Sequence, residues 1–297
     1  MIKPTIAFIG AGAVGTCLAY WLKQAAYPLA GIASRSYASA QQAVECLEIP
    51  ILSIENACRA ADILFITTPD REIASVITHL SNTQSLHKGM IVAHTSGAHA
   101  ADLLAIAHNY GAHIMSFHPL QSFTKPGEKL VSLKNCVFAL EGDTYALAAG
   151  TQIAKELGGQ PVIIQENQKA LYHAGACAAS NYFVSVLHLA ISLLMTAGFS
   201  KAVAQSALLP LVHGTLKNIE ENGVTEALTG PISRGDTTTV TAHIDAIGEF
   251  CPSLLPLYQQ LGIYTTTIAD QRASITANQA QILLKILSPN IIKDTPS

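Results

Sequence analysis

The turn Gly10-Ala11-Gly12-Ala13-Val14-Gly15 constrains this chain more than any other stretch. It follows the apolar run Ile6-Ala7-Phe8-Ile9, which reads as a strand, and it opens a helical stretch over 16–26. A G-x-G-x-x-G spacing alone is weak evidence. Between a strand and a helix it is the fingerprint of a dinucleotide-binding turn. Each glycine has its own physical reason. Gly10 permits the tight turn, Gly12 lets a pyrophosphate approach the backbone, and Gly15 lets helix and strand close on each other. The helix N-terminus at Ala13 and Val14 then offers free N–H groups and a partial positive charge to the phosphates.

The end of the second strand sets the cofactor. An NAD site wants an acidic residue there, about 20 residues beyond the glycines, for the ribose 2′-hydroxyl. This chain has Ser34-Arg35-Ser36 at that place, and no acidic residue occurs before Glu45. An arginine flanked by two hydroxyls suits a 2′-phosphate. The expected cofactor is therefore NADP (NADPH).

The first half alternates short β-like runs with helical ones. Strands are expected over 6–9, 29–33, 62–67, 90–94, 113–117, 136–140 and 161–164, with helices over 71–80, 100–109 and 145–157 among them. That alternation predicts an α/β fold with a doubly wound, mostly parallel sheet. Beyond residue 166 the strand signals stop. Helices are expected over 167–197, 199–220, 237–248, 253–269 and 274–286. The expected division is a dinucleotide-binding Rossmann domain over 1–165 and an all-helical substrate and dimerisation domain over 166–297.

Ligands collect beyond the C-terminal ends of strands in such sheets. Three loops leave those ends: Thr67-Thr68-Pro69-Asp70, His94-Thr95-Ser96-Gly97 and Phe117-His118-Pro119-Leu120. Thr67, Thr68 and Pro69 are expected along the cofactor ribose, and Ser96 and His118 near the nicotinamide. Asp70 is expected to cap the helix that begins there. In the helical half, His173, Cys177 and Asn181 stand four residues apart, a spacing that keeps them on one helix face. Further on, Gly230-Pro231-Ile232-Ser233-Arg234-Gly235-Asp236 runs into Thr237-Thr238-Thr239-Val240-Thr241-Ala242-His243. Asp236 reads as a helix N-cap, with Thr239 and His243 on its face and Arg234 as an anion holder.

Composition narrows the partners. The formal charge is −3, and the 17 Lys and Arg form no run, so no nucleic-acid partner is expected. The six cysteines show no metal or redox-pair spacing and read as reduced thiols of a cytoplasmic protein. The eleven histidines include no His-Glu-x-x-His pattern, and no metal is expected. Residues 170–200 contain no Asp, Glu, Lys or Arg. The stretch is long enough to span a membrane, but it carries His173, Asn181, His188 and several hydroxyls, so a helix buried in protein is expected instead. It is too apolar all round to leave a flank in water, which predicts a homodimer through the helical domain and no membrane partner.

Together these motifs, with Ser116-Phe117-His118-Pro119-Leu120-Gln121-Ser122-Phe123, Ala179-Ser180-Asn181-Tyr182 and Leu228-Thr229-Gly230-Pro231-Ile232-Ser233-Arg234-Gly235-Asp236, resemble one group of proteins. That group joins a Rossmann-like domain to a helical C-terminal domain of unknown function. Its architecture is similar to pyrroline-5-carboxylate reductase, ketopantoate reductase and the β-hydroxyacid dehydrogenases. The resemblance implies an NADP-dependent oxidoreductase, dimeric through the helical domain. One departure matters. The β-hydroxyacid dehydrogenases place a catalytic Lys, with an Asn four residues later, on the first interdomain helix. The stretch 170–200 has no Lys, so that mechanism is not carried over.

The expected activity is hydride transfer between NADP(H) and a small, carboxylate-bearing carbonyl or imine substrate. His173 is the favoured proton donor, His118 its rival, and Asn181 would orient the substrate oxygen. Arg234, Asp236, Thr239 and His243 would hold the substrate. The alternative is a non-catalytic NADP-binding sensor or partner-binding protein, which has no need of His173 or His118 near the nicotinamide.

Overall fold

The computed structural model describes residues 2–123 and 130–288. The chain forms two compact units, divided between Asn181 and Tyr182.

The first unit is built on a seven-stranded sheet. Its strands are β1 (Ile6–Ile9), β2 (Leu29–Ala33), β3 (Ile63–Ile66), β4 (Ile91–His94), β5 (His113–Pro119), β6 (Val137–Gly142) and β7 (Gln160–Ile163), in the spatial order β2-β1-β3-β4-β5-β6-β7. All neighbours run parallel except β5 and β6. The inner strands are apolar on both faces, as strands covered by helices on both sides must be. One face packs Phe8, Phe65, Phe117 and Phe138, with the rings of Phe8 and Phe65 stacked 5.5 Å apart. The other packs Ile9, Ile66, Val92 and Ile114. From β1 the chain goes to one side for β2 and returns to the other for β3. The C-terminal ends of β1 and β3 thus flank the topological switch point, where such sheets bind ligands.

The helices of this unit include α1 (Ala13–Gln24), α2 (Tyr37–Leu47), α3 (Ile54–Arg59), α4 (Asp70–Asn82), α5 (Thr144–Glu156) and α6 (Lys169–Cys177). The helices α2 and α3 lie outside the stretches named from the sequence pattern. Both are announced by serine N-caps, Ser36 accepting from Ser39 N–H and Ser53 from Asn56 N–H. The expected helix over 100–109 is a 3-10 helix, Ala101–Tyr110, ended by Gly111 in the left-handed region. The contact boundary lies later than residue 165 because α6 belongs to the sheet: its first residue, Lys169, is buried and donates to Ser116 on β5.

The second unit holds α7 (Phe183–Thr196), α8 (Lys201–Asn222), α9 (Thr237–Phe250), α10 (Leu255–Gln271) and α11 (Ala277–Leu287). Its core gathers Val240, Ala269, Ile275, Ala280, Leu283 and Leu287 from around α9, α10 and α11. Thr276 and Gln279 form a capping box that starts α11.

The charge-free stretch differs from its expectation in two ways. It is not one regular helix: α6 runs into a π-helical turn, Ala178–Tyr182, and only then into α7. Nor is it buried within the chain, since Leu189 is the buried residue of α7 and Ala204 that of α8. The run Glu166–Thr196 is long and apolar enough to cross a membrane by length and composition.

Candidate active site

The glycine turn does what its spacing predicts. Gly10 has φ +120°, and a Cβ there would lie 2.6 Å from the Thr67 carbonyl carbon. A Cβ on Gly15 would strike the Gly10 carbonyl oxygen and the Thr67 side chain, so β1, β3 and α1 close up only because both are glycine. A Cβ on Gly12 would meet nothing within 4 Å. Gly12 faces an open cavity of about 600 Å³.

That cavity lies along the switch point. Gly10–Gly12 and Thr67–Pro69 line it at the strand ends, and Ser34, Arg35 and Ser36 line it at the end of β2. Ser39 and Ile54 add to the lining, and the longest stretch of wall is one face of α4: Glu72, Ser75, Val76 and His79. These stand at i, i+3, i+4 and i+7, while Ile73, Ile77 and Leu80 bury the opposite face. Arg35 is well exposed, with Nη1 3.5 Å from a Glu72 carboxylate oxygen. Ser36 Oγ is used as the α2 cap. Thr68 Oγ1 is buried and has no hydrogen-bond partner among the described residues. An orphaned buried hydroxyl costs about 1–3 kcal/mol, so a ligand oxygen beside it would be welcome. The open face at Gly12 and the orphaned Thr68 hydroxyl together fit a dinucleotide.

Four expected cofactor residues stand off this wall. Ala13, Val14 and Gly15 start α1 behind the turn. Ser96 is buried: its hydroxyl donates to Asp70 at 2.8 Å and accepts from the N–H groups of Ala98 and His99. This corrects the expectation for Asp70 as well. The N-cap of α4 is Pro69, without a side-chain cap, and the Asp70 carboxylate is spent on Ser96.

A second cluster occupies the C-terminal ends of β4 and β5. His94, Ser116 and Glu141 are direct neighbours across β4, β5 and β6, all buried. Three polar side chains in a row at this depth must be satisfied internally, and they are. His94 Nδ1 accepts from Ser96 N–H and Nε2 donates to the Ala100 carbonyl at 2.9 Å. That pairing needs the neutral imidazole, and burial lowers the His94 pKa to about 4. Glu141 accepts from Ala101 N–H at 2.6 Å, at the start of the 3-10 helix, and burial raises its pKa. Ser116 Oγ accepts from Lys169.

Lys169 is the residue that sequence reasoning missed. It stands one position before the charge-free stretch, at the start of α6, and is 2% exposed. Burial lowers its pKa to about 8, against the opposing charges of Glu141 and Asp70. The available signal was weak: Lys169 and Lys201 border the 31 uncharged residues, 170–200, one at each end.

One turn along α6, the Tyr172 hydroxyl is 2.7 Å from His118 Nδ1. Burial raises the Tyr172 pKa to about 12. Burial first, then the nearby Lys169 and His173, lower that of His118 to about 4. The tyrosine therefore donates, and His118 is a neutral imidazole with its proton on Nε2. A Cβ on Gly97 would lie 2.8 Å from that Nε2 and 2.7 Å from His173 Cδ2, so the two imidazoles converge on a gap that only glycine leaves open. His173 is half-buried, and Cys177 Sγ lies 3.9 Å from its ring nitrogens. The stripe from His173 to Asn181 is interrupted: Asn181 falls inside the π turn, where the four-residue spacing no longer keeps one face.

In the second unit, Asp236 caps α9. It accepts from Thr239 N–H at 3.0 Å and from the Thr239 hydroxyl at 2.7 Å, which hold its carboxyl below the usual range. His243 pairs instead with the Tyr258 hydroxyl at 2.8 Å. Arg234 is exposed, followed by Gly235 in the left-handed region. No group of three or more His, Cys, Asp or Glu among the described residues is arranged to hold a metal.

The sheet order, the glycine turn and the cavity define a nucleotide-binding domain of the Rossmann class. Comparison agrees: residues 2–119 match the Rossmann-like domain family, and residues 136–265 match the domain of unknown function DUF2520. The chain thus joins a Rossmann-like N-terminal domain to a DUF2520 C-terminal domain. No curated protein matches it by sequence. Among solved structures, a Bacteroides fragilis protein presented as a candidate NADP oxidoreductase is 22% identical, covering 90% of this chain and 98% of its own, with TM-score 0.72. A protein of Thermotoga maritima is 25% identical, covering 90% and 99%, also with TM-score 0.72. A pyrroline-5-carboxylate reductase from Coxiella burnetii is 17% identical, covering 95% and 98%, with TM-score 0.59.

Proposed function

We propose that this chain is an NADP-dependent oxidoreductase that moves a hydride between NADP(H) and a small, carboxylate-bearing carbonyl or imine compound. The observation that carries the reading is that the C-terminal ends of the sheet strands hold two things: the cavity at β1 and β3, and at β4 and β5 the buried Lys169 with the half-buried Tyr172, His118 and His173. A protein that only sensed the cofactor would have no use for a buried lysine and two converging imidazoles, each of which costs stability. The oxidoreductase neighbours support the reading at the level of reaction class.

Bound NADPH would supply the hydride. The chain's own residues then have distinct tasks. His118 offers a neutral Nε2–H donor to a carbonyl oxygen. The buried charge of Lys169 stabilises the negative charge that develops there. His173, less buried and facing the same gap, gives the proton. Arg234 is assigned to the substrate carboxylate, on the strength of its exposed, glycine-bounded loop. The six free cysteines fit a cytoplasmic protein, and the uncovered α7 and α8 fit a homodimer, with the second copy taking the place of a membrane.

Thermal stabilisation by NADPH, followed by a turnover screen of keto acids and cyclic imines, tests this. With a substrate in hand, His173→Ala should lower kcat by about 10²–10⁴ with NADPH affinity intact. Arg234→Ala should mainly raise KM for acidic substrates. No stabilisation by either nicotinamide cofactor would overturn the proposal.

A further inference from the structure

We propose that Glu72 sets the cofactor preference of this cavity, opposing a ribose 2′-phosphate and accepting a ribose 2′-hydroxyl, so that the chain binds both NADPH and NADH. This rests on the dinucleotide reading of the cavity. The end of β2 has no acid, and Arg35 between two serines speaks for a phosphate alone. The fold changes that balance. Asp70 begins α4 directly after the Thr67–Pro69 wall, and Glu72 on its first turn reaches the same end of the cavity as Arg35. One Glu72 carboxylate oxygen lies 3.5 Å from Arg35 Nη1, and the other 3.3 Å from Arg71 Nε. The Arg35 side chain is 83% exposed and that of Glu72 only 30%. The carboxylate is therefore the more enclosed member of the pair, and the guanidinium the more exposed one.

Two ligands meet this arrangement differently. A 2′-phosphate, with nearly two negative charges, must share Arg35 with a carboxylate already against it. Like charges a few ångströms apart at a half-exposed site repel appreciably, so the phosphate's advantage is eroded. A 2′-hydroxyl carries no charge and can donate to Glu72 while Arg35 stays on its partner. Glu72 thus fills, from a different strand's helix, the role usually taken by an acid at the end of the second strand.

Titration calorimetry of NADPH and NADH against the full chain tests this without any turnover. Glu72→Gln keeps the shape and removes the charge. It should tighten NADPH and weaken NADH, each by roughly three- to tenfold. Arg35→Ala should weaken NADPH by roughly ten- to a hundredfold with little change for NADH. The NADPH gain in Glu72→Gln should shrink as salt rises. Weaker NADPH binding in Glu72→Gln would make Glu72 a mere support for Arg35 and overturn the proposal, as would unchanged affinities for both cofactors. If wild type binds neither cofactor, the dinucleotide reading itself fails, a result separate from the other two.

Discussion

Burying an ammonium group costs several kcal/mol unless its surroundings compensate. Lys169 has the Ser116 hydroxyl for a direct partner and more distant carboxylates for charge. A placement that costs stability in this way fits the electrostatic role proposed for Lys169. Lys169→Met should therefore leave the melting temperature unchanged or raised while turnover falls at least tenfold; a large drop in melting temperature would make the lysine structural. The titration of this region gives a second prediction. His94 and His118 titrate near 4 when folded and near 6.5 otherwise. The unfolded chain binds more protons between those values, so their stability is fully present above pH 6.5 and is lost as pH falls toward 4. Each can contribute on the order of 3 kcal/mol. Urea melts from pH 7 to 4 should show the slope, and His94→Gln, which can keep both hydrogen bonds, should remove one of its two components. Lys169 acts in the opposite range: its folded value near 8 makes stability rise as pH climbs from there toward 10.5. How much of this is readable in the sequence depends on distance along the chain. Gly10, Gly12 and Gly15 are legible because their reasons are local: a turn, a phosphate and a packed helix. Ser116 and Lys169 meet across 53 positions, and Ser96 and Asp70 across 26, and no periodicity reports such pairings.

At the scale of elements, strands are more legible than helices. The strands β1, β3 and β4 are short apolar runs bounded by turns, and their ends fall within a residue of expectation, while β5 and β6 each run two residues further. The helix α4 is legible from its apolar face, yet nothing in its pattern tells that Glu72, Ser75 and His79 on the polar face line the cavity. A hydrophobic pattern identifies the buried side of a helix and says nothing about what occupies the other. The π turn at Ala178–Tyr182 leaves no pattern at all, because it depends on one residue more or less per turn. It works as a single-residue insertion into a helix. Deleting Ala179 should restore regular spacing and shift the face of α7 by about 100° around the helix axis. NADPH binding, carried by residues before the turn, should persist, while turnover should disappear; unchanged kinetics would show the turn to be incidental.

At the scale of the whole molecule, the second unit presents apolar surface that the described residues leave exposed. Val184, Met195, Phe199, Val203, Leu209 and Leu211 on and between α7 and α8 are all more than a third exposed. Large apolar surface of this kind marks an interaction site. Light scattering at micromolar concentration should return the mass of two chains; a monomer would return this surface to the membrane reading. That surface has a consequence for how the protein comes into being. If the native state is completed only when two copies meet, its last folding step is second order, and the lone chain has no stability of its own to speak of. Refolding after dilution from denaturant should then slow as the chain concentration is lowered, with a half-time inversely proportional to it. The scarce commodity for a newly made chain would be the time it takes to find its sibling before two wrong surfaces find each other.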